Sequence, residues 1–416
     1  MSKAADYSTP VVMLGSGHHG GLGIARSLGR LGVPVYSVDS TRWEAAFSSR
    51  YCRGRWVLDR DSEPERALAT LQEIGRKLPG RPILIPTSDP WCIWVAENSA
   101  ALREVFCFPH QDPALVRTLC DKSRMQEMAA LYGVPIARSV VPHSKLDVAW
   151  FIESAVFPVM VKATDAESLR RRAGGTKFVV HSGRELIELY ARAEDREAPN
   201  LLIQEFIPGE DWMFDGYFDA NSDCLFGMTA KKIRRFPVHT GVTSLGICLE
   251  NHAVYRTTTA FMKAIRYRGI LDIGYRRDQR DGTYKVLDVN PRIGCTFRLF
   301  AAAGMDVARA LYLDVTGQGV PRAQTAPGRK WVVEDFDLFS ALRSWREGTL
   351  SLKDWVKSFA GVQEAACFAW DDPLPFLMMG VFDCCELFKW SRGQMAIRKQ
   401  AGQAGSPVLV DSQRRS

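Results

Sequence analysis

Two short apolar strands joined by a turn signal constrain this chain more than any other feature of its sequence. The stretches "GILDIGYRRD" and "TYKVLDVN" flank "QRDG", which is typical of a β-hairpin turn. Residues two apart in a strand point to the same face, so Asp288 and Asn290 project together and Arg292 follows on that side. Pairing of the two strands brings Asp272 beside them. We therefore expect three oxygen-bearing side chains on one face of a sheet.

These side chains predict a metal site. Mg²⁺ prefers oxygen ligands and keeps part of its coordination shell for phosphates, and Mn²⁺ is an alternative occupant. The candidate ligands are Asp272, Asp288 and Asn290. The planar guanidinium of Arg292 suits bidentate binding of a phosphate or an acyl phosphate.

Chain length and charge exclude several classes of protein. At 416 residues the chain is too long for one ordinary core, so we expect about two to four domains. The formal net charge of +7 is modest for this length, and no run of basic residues is interleaved with aromatic ones. No nucleic-acid partner is therefore expected, and the positive charge suits small anionic substrates.

The cysteines and the apolar segments indicate in which cellular compartment the protein is expected. The ten cysteines are scattered, without a C-x-x-C motif or a histidine pair at metal spacing, so we expect reduced thiols in a cytoplasmic protein and no zinc. No segment reaches the ~18 uncharged apolar residues of a spanning helix. The nearest is "LPFLMMGVFDCCELFKW", which contains Asp383 and Glu386. It is either a buried helix or a segment that contacts a membrane surface.

The first 120 or so residues alternate strand and helix signals, which predicts a parallel sheet with crossover helices. The loop "GSGHHG" follows the first strand, precedes a helix, and matches G-x-G-x-x-G, with Asp39 about 20 residues further on. Two interpretations remain open: dinucleotide binding, or a structural or substrate-facing loop. In the second, Gly17 and His18 are the candidate substrate residues.

The rest of the chain has a different pattern of predicted helices and strands. We expect a helix from about residue 121 to Gly133 and further helices at 252–267 and 296–315, and we expect "EVFCFP" (104–109) to be a short strand. Several strands alternate between residues 213 and 294. A linker rich in Pro, Gly and Ala precedes an aromatic-rich appendage at 330–400, and the polar tail at 401–416 is expected to be disordered.

Two further stretches carry candidate ligand-binding residues. Lys162 ends an apolar strand, where its ammonium group suits a phosphate, and the glycine-bearing loop after it suits a lid over residues 165–177. The stretch "QEFIPGED" offers an extended backbone for an adenine edge, followed by carboxylates that suit ribose hydroxyls. Taken singly, each stretch is equally well explained as ordinary strand and turn structure.

The order of these features resembles the ATP-grasp superfamily: Lys122 before a helix, Lys162 with its glycine loop, "QEFIPGED", and then Asp272 with "DVNPR". The stretches "GIARSLGRLGVPVYSVD", "RRFPVHTGVTSLG" and "FAWDDPLP" are similar to its predicted carboxylate–amine ligase branch. The resemblance spans residues 10 to about 376.

The resemblance implies an α/β fold with an N-terminal parallel α/β domain and two α+β subdomains that sandwich ATP, followed by a C-terminal appendage. The expected boundaries are a Rossmann-like domain at 1–120, a small subdomain with the lid at 121–200, and a large subdomain with the metal site at 201–320. The appendage then covers 321–400 and the tail 401–416.

The resemblance also implies a role for each matching residue. Lys122 and Lys162 contact the ATP phosphates, and Asp211, or Glu210, binds the ribose. Asp272, Asp288 and Asn290 hold the metal, with Asp288 standing where relatives carry Glu, and Arg292 steadies the transferred phosphoryl group. The segment around adenine is Gln204, Glu205, Phe206 and Ile207.

The implied activity is ATP- and Mg²⁺-dependent joining of a carboxylate to an amine through an acyl phosphate, with release of ADP and phosphate. Lys231, Arg234 and Arg235 are the candidates for gripping the acid. The implied partners are small molecules, and a homodimer is an alternative to a monomer. Two other activities compete: another phosphoryl transfer on the same fold, and an NAD(P)-binding oxidoreductase that uses the "GSGHHG" loop.

Overall fold

A computed structural model of the chain contains three β-sheets and the helices that pack on them. The described residues are 5–15, 17–41, 44–61, 64–163, 169, 172–175, 177–194, 201–238, 241–301, 304–321 and 327–381. Most of the predicted lid at 165–177 lies outside these residues, and the predicted disordered tail lies wholly outside them.

The first sheet is parallel and has the strand order β3-β2-β1-β4. Its strands are Val11–Leu14 (β1), Val35–Asp39 (β2), Cys52–Val57 (β3) and Ile83–Pro86 (β4). Val11 and Met13 pack on the side of the first helix, whereas Val12 and Leu14 pack in a separate core on the opposite face. The expected parallel α/β region is confirmed. Strand β1 is apolar at every position and is buried on both faces, as is usual for a strand within a parallel sheet.

The strand predicted at 104–109 is wrong. Cys107 forms only an isolated bridge to Ile83, and no described strand covers this segment. The segment is apolar because Phe106 is buried in the core of the first sheet, and burial alone does not require a ladder of backbone hydrogen bonds.

The second sheet is antiparallel, with the order β5-β8-β6-β7. Its strands are Ser139–Val140 (β5), Val159–Ala163 (β6), Lys177–Val180 (β7) and Leu201–Glu205 (β8). Strand β8 pairs with both β5 and β6, so the expected boundary between residues 200 and 201 falls too early. The step from the second sheet to the third lies at residues 206–208.

The third sheet has seven strands in the order β13-β12-β9-β10-β11-β14-β15. They are Gly209–Phe218 (β9), Cys224–Phe236 (β10), Val242–Cys248 (β11), Gly269–Asp278 (β12), Tyr284–Asn290 (β13), Lys330–Val332 (β14) and Val362–Ala365 (β15). The predicted hairpin is present as β12 and β13. Strands β14 and β15 extend this sheet, so the region expected to be an appendage contributes to the large sheet.

The helices cover these sheets. The α-helices span His19–Gly29, Ala45–Ser48, Pro64–Lys77, Asp89–Glu97, Ser99–Leu102, Pro113–Cys120, Lys122–Leu131, Lys145–Glu153, Gly183–Ala193, His252–Ala264, Val307–Val315, Glu334–Arg346 and Leu352–Ser358. The helix predicted at 296–315 is shorter, because a 3₁₀ turn at Phe297–Phe300 precedes a break and Asp306 caps a new helix at the Arg309 amide.

The stretch "FAWDDPLP" is fixed to the first helix. Arg26 donates from Nε to Oδ2 of Asp372 over 2.9 Å, and both side chains are almost fully buried. The other guanidinium nitrogens of Arg26 donate to the carbonyl oxygens of Ala366, Cys367 and Asp372. This network joins the described end of the chain to its beginning.

None of the helices in the described ranges is long and apolar enough to cross a membrane. The segment 374–390, predicted to be a buried helix or a membrane contact, is described only as far as residue 381, and residues 374–381 are helical.

Candidate nucleotide and metal site

A pocket of about 710 Å³ lies between the second sheet and the third. The sequence-predicted residues that line it are Lys122, Lys162, Gln204, Glu205, Phe206, Ile207, Asp211, Arg235 and Asp288. Lys177, Lys232 and Arg276 also line it and were not predicted. The fold thus gathers residues from positions 122 to 288 around one cavity.

The lysines at one side of the pocket form a concentrated positive region. Lys162 lies opposite Lys177 on the paired strands β6 and β7, and its ammonium group donates to Oε1 of Gln204 over 2.7 Å. Burial lowers the pKa of Lys162 to about 7, and the charges of Lys177 and Lys122 act in the same direction. A ligand rich in negative charge would relieve this repulsion.

The segment after β8 is held in place by neighbouring side chains. Arg276 donates from Nη1 to the carbonyl oxygen of Ile207 over 3.2 Å, and its guanidinium lies 5.6 Å from the centre of the Phe206 ring. Glu205 is paired with Arg280 and Lys285 and accepts from the backbone amide of Arg138. These contacts fix the conformation of the segment that was predicted to face adenine.

The two carboxylates proposed for ribose have different positions. Asp211 is buried, lines the pocket, and lies 2.6 Å from both Arg276 and Arg235. Burial would raise the pKa of Asp211, but the charges of Lys232, Arg276 and Arg235 outweigh it and hold the pKa below its ordinary value. Glu210 is exposed, does not line the pocket, and pairs with Lys231 over 2.6 Å.

The three predicted metal ligands lie on one face of the β12–β13 hairpin. Asp272 is directly opposite Asn290, and the Nδ2 group of Asn290 donates to Oδ2 of Asp272 over 3.1 Å. Asp288 is opposite Gly274, where it has room because a Cβ atom at position 274 would lie 2.2 Å from its Oδ1. The Asp288 carboxylate is exposed at the edge of the nucleotide pocket.

A fourth carboxyl group, that of Asp215, lies on the same face. Asp215 is directly opposite Asp272 on β9, so the two side chains lie side by side, and the buried carboxyl group of Asp215 interacts with that of Asp272. Burial raises the pKa of Asp215 well above its ordinary value, and the charge of Asp272 adds to the effect. Burial also raises the pKa of Asp272. A proton shared between the Asp215 and Asp272 carboxyl groups, or a nearby cation, would therefore stabilise the pair.

The donor set fits a hard divalent cation. Within the described ranges, no group of three His, Cys, Asp or Glu side chains is placed to hold a metal by itself. The hairpin instead offers two carboxylates and one amide oxygen, which leaves coordination positions for phosphate oxygens and water, as Mg²⁺ prefers. Asp215, on the adjacent strand, places two more carboxyl oxygens beside Asp272.

Arg292 connects this face to the first sheet. Its Nη2 group donates to Oδ1 of Asn290 over 3.3 Å, and its Nε group lies 2.5 Å from Oδ1 of Asp89 on helix Asp89–Glu97. The guanidinium is thus held beside the candidate metal ligands by a residue from another part of the chain.

The candidate acid-binding residues Lys231, Arg234 and Arg235 have different environments in the structure. Arg235 lines the pocket, but Arg234 makes two 2.8 Å contacts with the fully buried Asp337 and therefore supports the fold. Lys231 pairs with Glu210, whereas Lys232 lines the pocket. The reason is a bulge in β10 between residues 232 and 235, which breaks the strict alternation of faces.

The N-terminal loop is occupied by contacts within the protein. His18 caps the first helix through Nδ1, which accepts from the Gly20 amide over 3.0 Å, and its Nε2 lies 2.7 Å from the carbonyl oxygen of Thr87. Burial lowers the pKa of His18 to about 4. Both ring nitrogens are engaged, so His18 has no nitrogen available to a substrate in this arrangement.

The glycine at position 17, which is part of the match to a dinucleotide fingerprint, has a packing reason of its own. A Cβ atom at Gly17 would lie 2.8 Å from Oε2 of Glu44, so close packing against a carboxylate accounts for glycine here. A carboxylate at this position repels a pyrophosphate. The dinucleotide alternative is therefore not favoured.

Four residues of the site escaped prediction: Lys177, Lys232, Arg276 and Asp215. Only Lys177 had a sequence signal, since antiparallel pairing of the strands on either side of the lid places it opposite Lys162. The other three reach the site through strand register and a bulge that the sequence does not fix.

No family model matches the sequence. A curated D-aspartate ligase of Enterococcus faecium is 24% identical over 239 residues, which cover 55% of this chain and 57% of the relative. The carbamoyl phosphate synthase large chain of Thermomicrobium roseum is 27% identical over 203 residues, 47% of this chain and 18% of that protein. The chain thus spans little more than half of the first relative and a smaller part of the second.

Solved structures match more of the chain. An L-amino acid ligase from Bacillus licheniformis superposes with a TM-score of 0.60 at 15% identity, covering 78% of this chain and 79% of the other. An N5-carboxyaminoimidazole ribonucleotide synthetase, solved as its ADP complex, gives a TM-score of 0.61 at 12% identity, covering 79% and 82%. These relatives have the ATP-grasp fold. The chain therefore shares the fold of these solved structures, which is the ATP-grasp fold.

Proposed function

We propose that the chain is an ATP-dependent carboxylate–amine ligase. The observation that carries this proposal is the composition of one pocket. A group of lysines and arginines in it faces Asp288, which lies at the edge of a hairpin that bears three oxygen donors. Such a pocket has the charge needed for a triphosphate and an adjacent position for a divalent cation.

The roles of the pocket residues follow from their positions. Lys122, Lys162 and Lys177 would contact phosphate oxygens. The segment Gln204–Ile207 would face adenine through its backbone. Asp211 is the better candidate for the ribose hydroxyls, because it lines the pocket and Glu210 does not.

Asp272, Asp288 and Asn290 would hold Mg²⁺, which neutralises phosphate charge when it is bound. Asp215 would support Asp272 from the adjacent strand. Arg292, held by Asp89 and Asn290, would stabilise the negative charge on the phosphoryl group in transfer.

The chemistry that these residues support proceeds in two steps. A carboxylate oxygen of the acid forms a bond to the γ-phosphorus of ATP, and the bond from that phosphorus to the β–γ bridging oxygen breaks, which releases ADP. An amine then attacks the acyl carbon, phosphate leaves, and the amine nitrogen loses a proton. Positioning and charge neutralisation dominate such catalysis, because little covalent help from the protein is required.

The names of two relatives support an amino acid as one of the two reactants, since they are a D-aspartate ligase and an L-amino acid ligase. In the same proposal, residues 1–120 form the N-terminal domain, 121–205 the small subdomain and 206–365 the large one. The scattered cysteines support a cytoplasmic location.

The proposal is tested by measuring ADP release with Mg·ATP against pooled carboxylates and amino acids, followed by separation of any active pool. Hydroxylamine in place of the amine should trap the acyl phosphate as a hydroxamate. ADP release that accompanies a phosphorylated product stable in hydroxylamine would contradict amide formation and favour another phosphoryl transfer.

A further inference from the structure

A second cavity of about 580 Å³ lies between the first sheet and the beginning of β12. It shares no lining residue with the nucleotide pocket. Its walls are mainly apolar and include Ile85, Val95, Phe108, Ile270 and Leu311. A cavity with such walls favours a ligand with an apolar body.

Two nitrogens on the cavity wall have an N–H group without an acceptor among the described residues. They are Nε2 of Gln111 and Nε of Arg268, and both atoms are buried. The Tyr267 hydroxyl donates to the carbonyl oxygen of Ile270 and accepts one N–H of the Gln111 amide, which leaves the second N–H of that amide. Because buried donors are normally satisfied, the two nitrogens point to a missing acceptor.

The charge of the cavity wall determines which kind of hydrogen-bond acceptor fits the cavity. Arg268 and Arg292 both line the cavity, and no aspartate or glutamate is among the described residues that line it. Arg292 is paired with Asp89, which leaves Arg268 as the cation for a ligand that also accepts from the Gln111 amide. An anionic acceptor such as a carboxylate therefore suits the cavity better than a neutral carbonyl group.

The cavity also reaches the catalytic hairpin. The guanidinium of Arg292 forms part of the wall and donates to Asn290. Cys92, another wall residue, donates from Sγ to the carbonyl oxygen of Pro291 over 3.3 Å. A molecule in the cavity would thus contact the residues that follow the candidate metal ligands.

We propose that this cavity binds a small monocarboxylate with an apolar tail. Its carboxylate accepts from Gln111 Nε2 and Arg268 Nε, and its tail packs on the apolar wall. Such a ligand has two sources, an acid that the enzyme activates or an effector that stays unchanged. The binding itself does not rest on the proposed ligase activity.

Binding is tested with hexanoate as the probe and 1-hexanol as its uncharged counterpart, by calorimetry and ligand-detected NMR on the full chain without nucleotide. We expect hexanoate to bind and hexanol to bind at least tenfold more weakly. Arg268→Gln and Gln111→Glu should each weaken hexanoate binding at least tenfold. Arg266→Gln, two residues from Arg268 and outside the cavity lining, should leave it unchanged.

A cavity-filling change, Ala96→Phe, should weaken the binding of both probes, and thermal unfolding identifies any variant that fails to fold. If Ala96→Phe does not fold, the two polar variants decide the question. Absence of hexanoate binding to the folded wild-type chain, or equal binding to Arg268→Gln and Arg266→Gln, would overturn the proposal.

Addition of Mg·ATP distinguishes the two sources, and both results support the cavity. Consumption of hexanoate identifies an activated acid. Unchanged hexanoate together with an altered rate of ADP release, an effect lost in Arg268→Gln, identifies an effector.

Discussion

Nε of Arg292 lies 2.5 Å from Oδ1 of Asp89, so that a helix of the first domain holds the guanidinium that follows the candidate metal ligands. Arg292 is part of the loop after β13, whereas Asp89 begins the helix after β4. The N-terminal domain thus contributes directly to the geometry of the proposed active site, although it lies outside the nucleotide pocket.

Removal of this contact should impair catalysis more than nucleotide binding. We expect Asp89→Asn to lower kcat about tenfold or more with little change in the KM for ATP, because Arg292 loses the charge that positions it. Asp89→Glu should recover part of the activity. Steady-state kinetics checks this, and an Asp89→Asn enzyme with wild-type kcat would show that the contact is only structural.

A methyl group at position 274 should disturb metal binding selectively. The added Cβ of Gly274→Ala would lie 2.2 Å from Oδ1 of Asp288, which is the movable end of a side chain. We expect the Mg²⁺ concentration for half-maximal ADP release to rise about tenfold, an effect of ~1.4 kcal/mol, with little loss of thermal stability.

The matched control for this change is Gly380→Ala, because an added Cβ there meets no atom of the described residues within 4 Å. Its Mg²⁺ dependence should equal that of the wild type. Unaltered Mg²⁺ dependence in Gly274→Ala would mean that Asp288 does not hold the metal.

Lys162 should make stability depend on pH. Burial lowers its pKa from 10.5 to about 7, so between these values the unfolded chain binds more protons than the folded one. Stability should therefore rise with pH across this window, and Lys162→Met should remove that contribution. Near pH 7 we expect Lys162→Met to raise the free energy of unfolding by ~1–2 kcal/mol, because an ammonium group no longer has to be desolvated.

The same lysine should couple ATP binding to proton uptake. Phosphates favour the charged ammonium group, so above about pH 7 ATP binding should take up a proton and its affinity should fall as pH rises. Calorimetry in buffers of different ionisation enthalpy measures the uptake. Equal uptake by wild type and by a Lys162→Met variant that still binds ATP would assign the proton to another group.

Arg26 in the first helix and Arg30 just after it allow a controlled test of the network at the chain's described end. Arg26 is 3% exposed and pairs with the 1% exposed Asp372, whereas Arg30 is 31% exposed and pairs with Asp371. Arg26→Met leaves a buried carboxylate unpaired and should cost ~3–5 kcal/mol of stability. Arg30→Met should cost only ~0–1 kcal/mol. Similar denaturation midpoints for the two variants would contradict the buried network.

The sequence predicts those parts of the site that depend on local strand geometry. Asp288 and Asn290 share a face because they are two residues apart, and the "QRDG" turn predicts the strand that carries Asp272 as their partner strand. The position of Asp272 opposite Asn290 depends in addition on a register shift between Gly274 and Tyr275, which the turn does not predict. The capped helix that begins at Lys122 also follows from local signals, since Asp121 accepts from the amides of Ser123 and Arg124.

Contacts set by long-range register escape prediction. Asp215 lies in an ordinary strand, and only the pairing of β9 with β12 places it against Asp272. The bulge in β10 follows Lys232 and lets Arg235, three residues later, line the same pocket. Arg234 resembles a substrate-binding residue until the chain folds and brings the buried Asp337 to it from 103 positions away.

The most direct measurement is hydroxamate formation from ATP, Mg²⁺, hydroxylamine and a panel of carboxylic acids, made in parallel with wild type, Asp288→Ala and Asn290→Ala. We expect the wild type to form one hydroxamate per ADP with at least one acid. Both variants should keep the wild-type circular dichroism spectrum and lose this activity. Wild-type turnover in either variant, or no hydroxamate from the folded wild type across the panel, would contradict an ATP-dependent ligase whose metal is held by the β12–β13 hairpin.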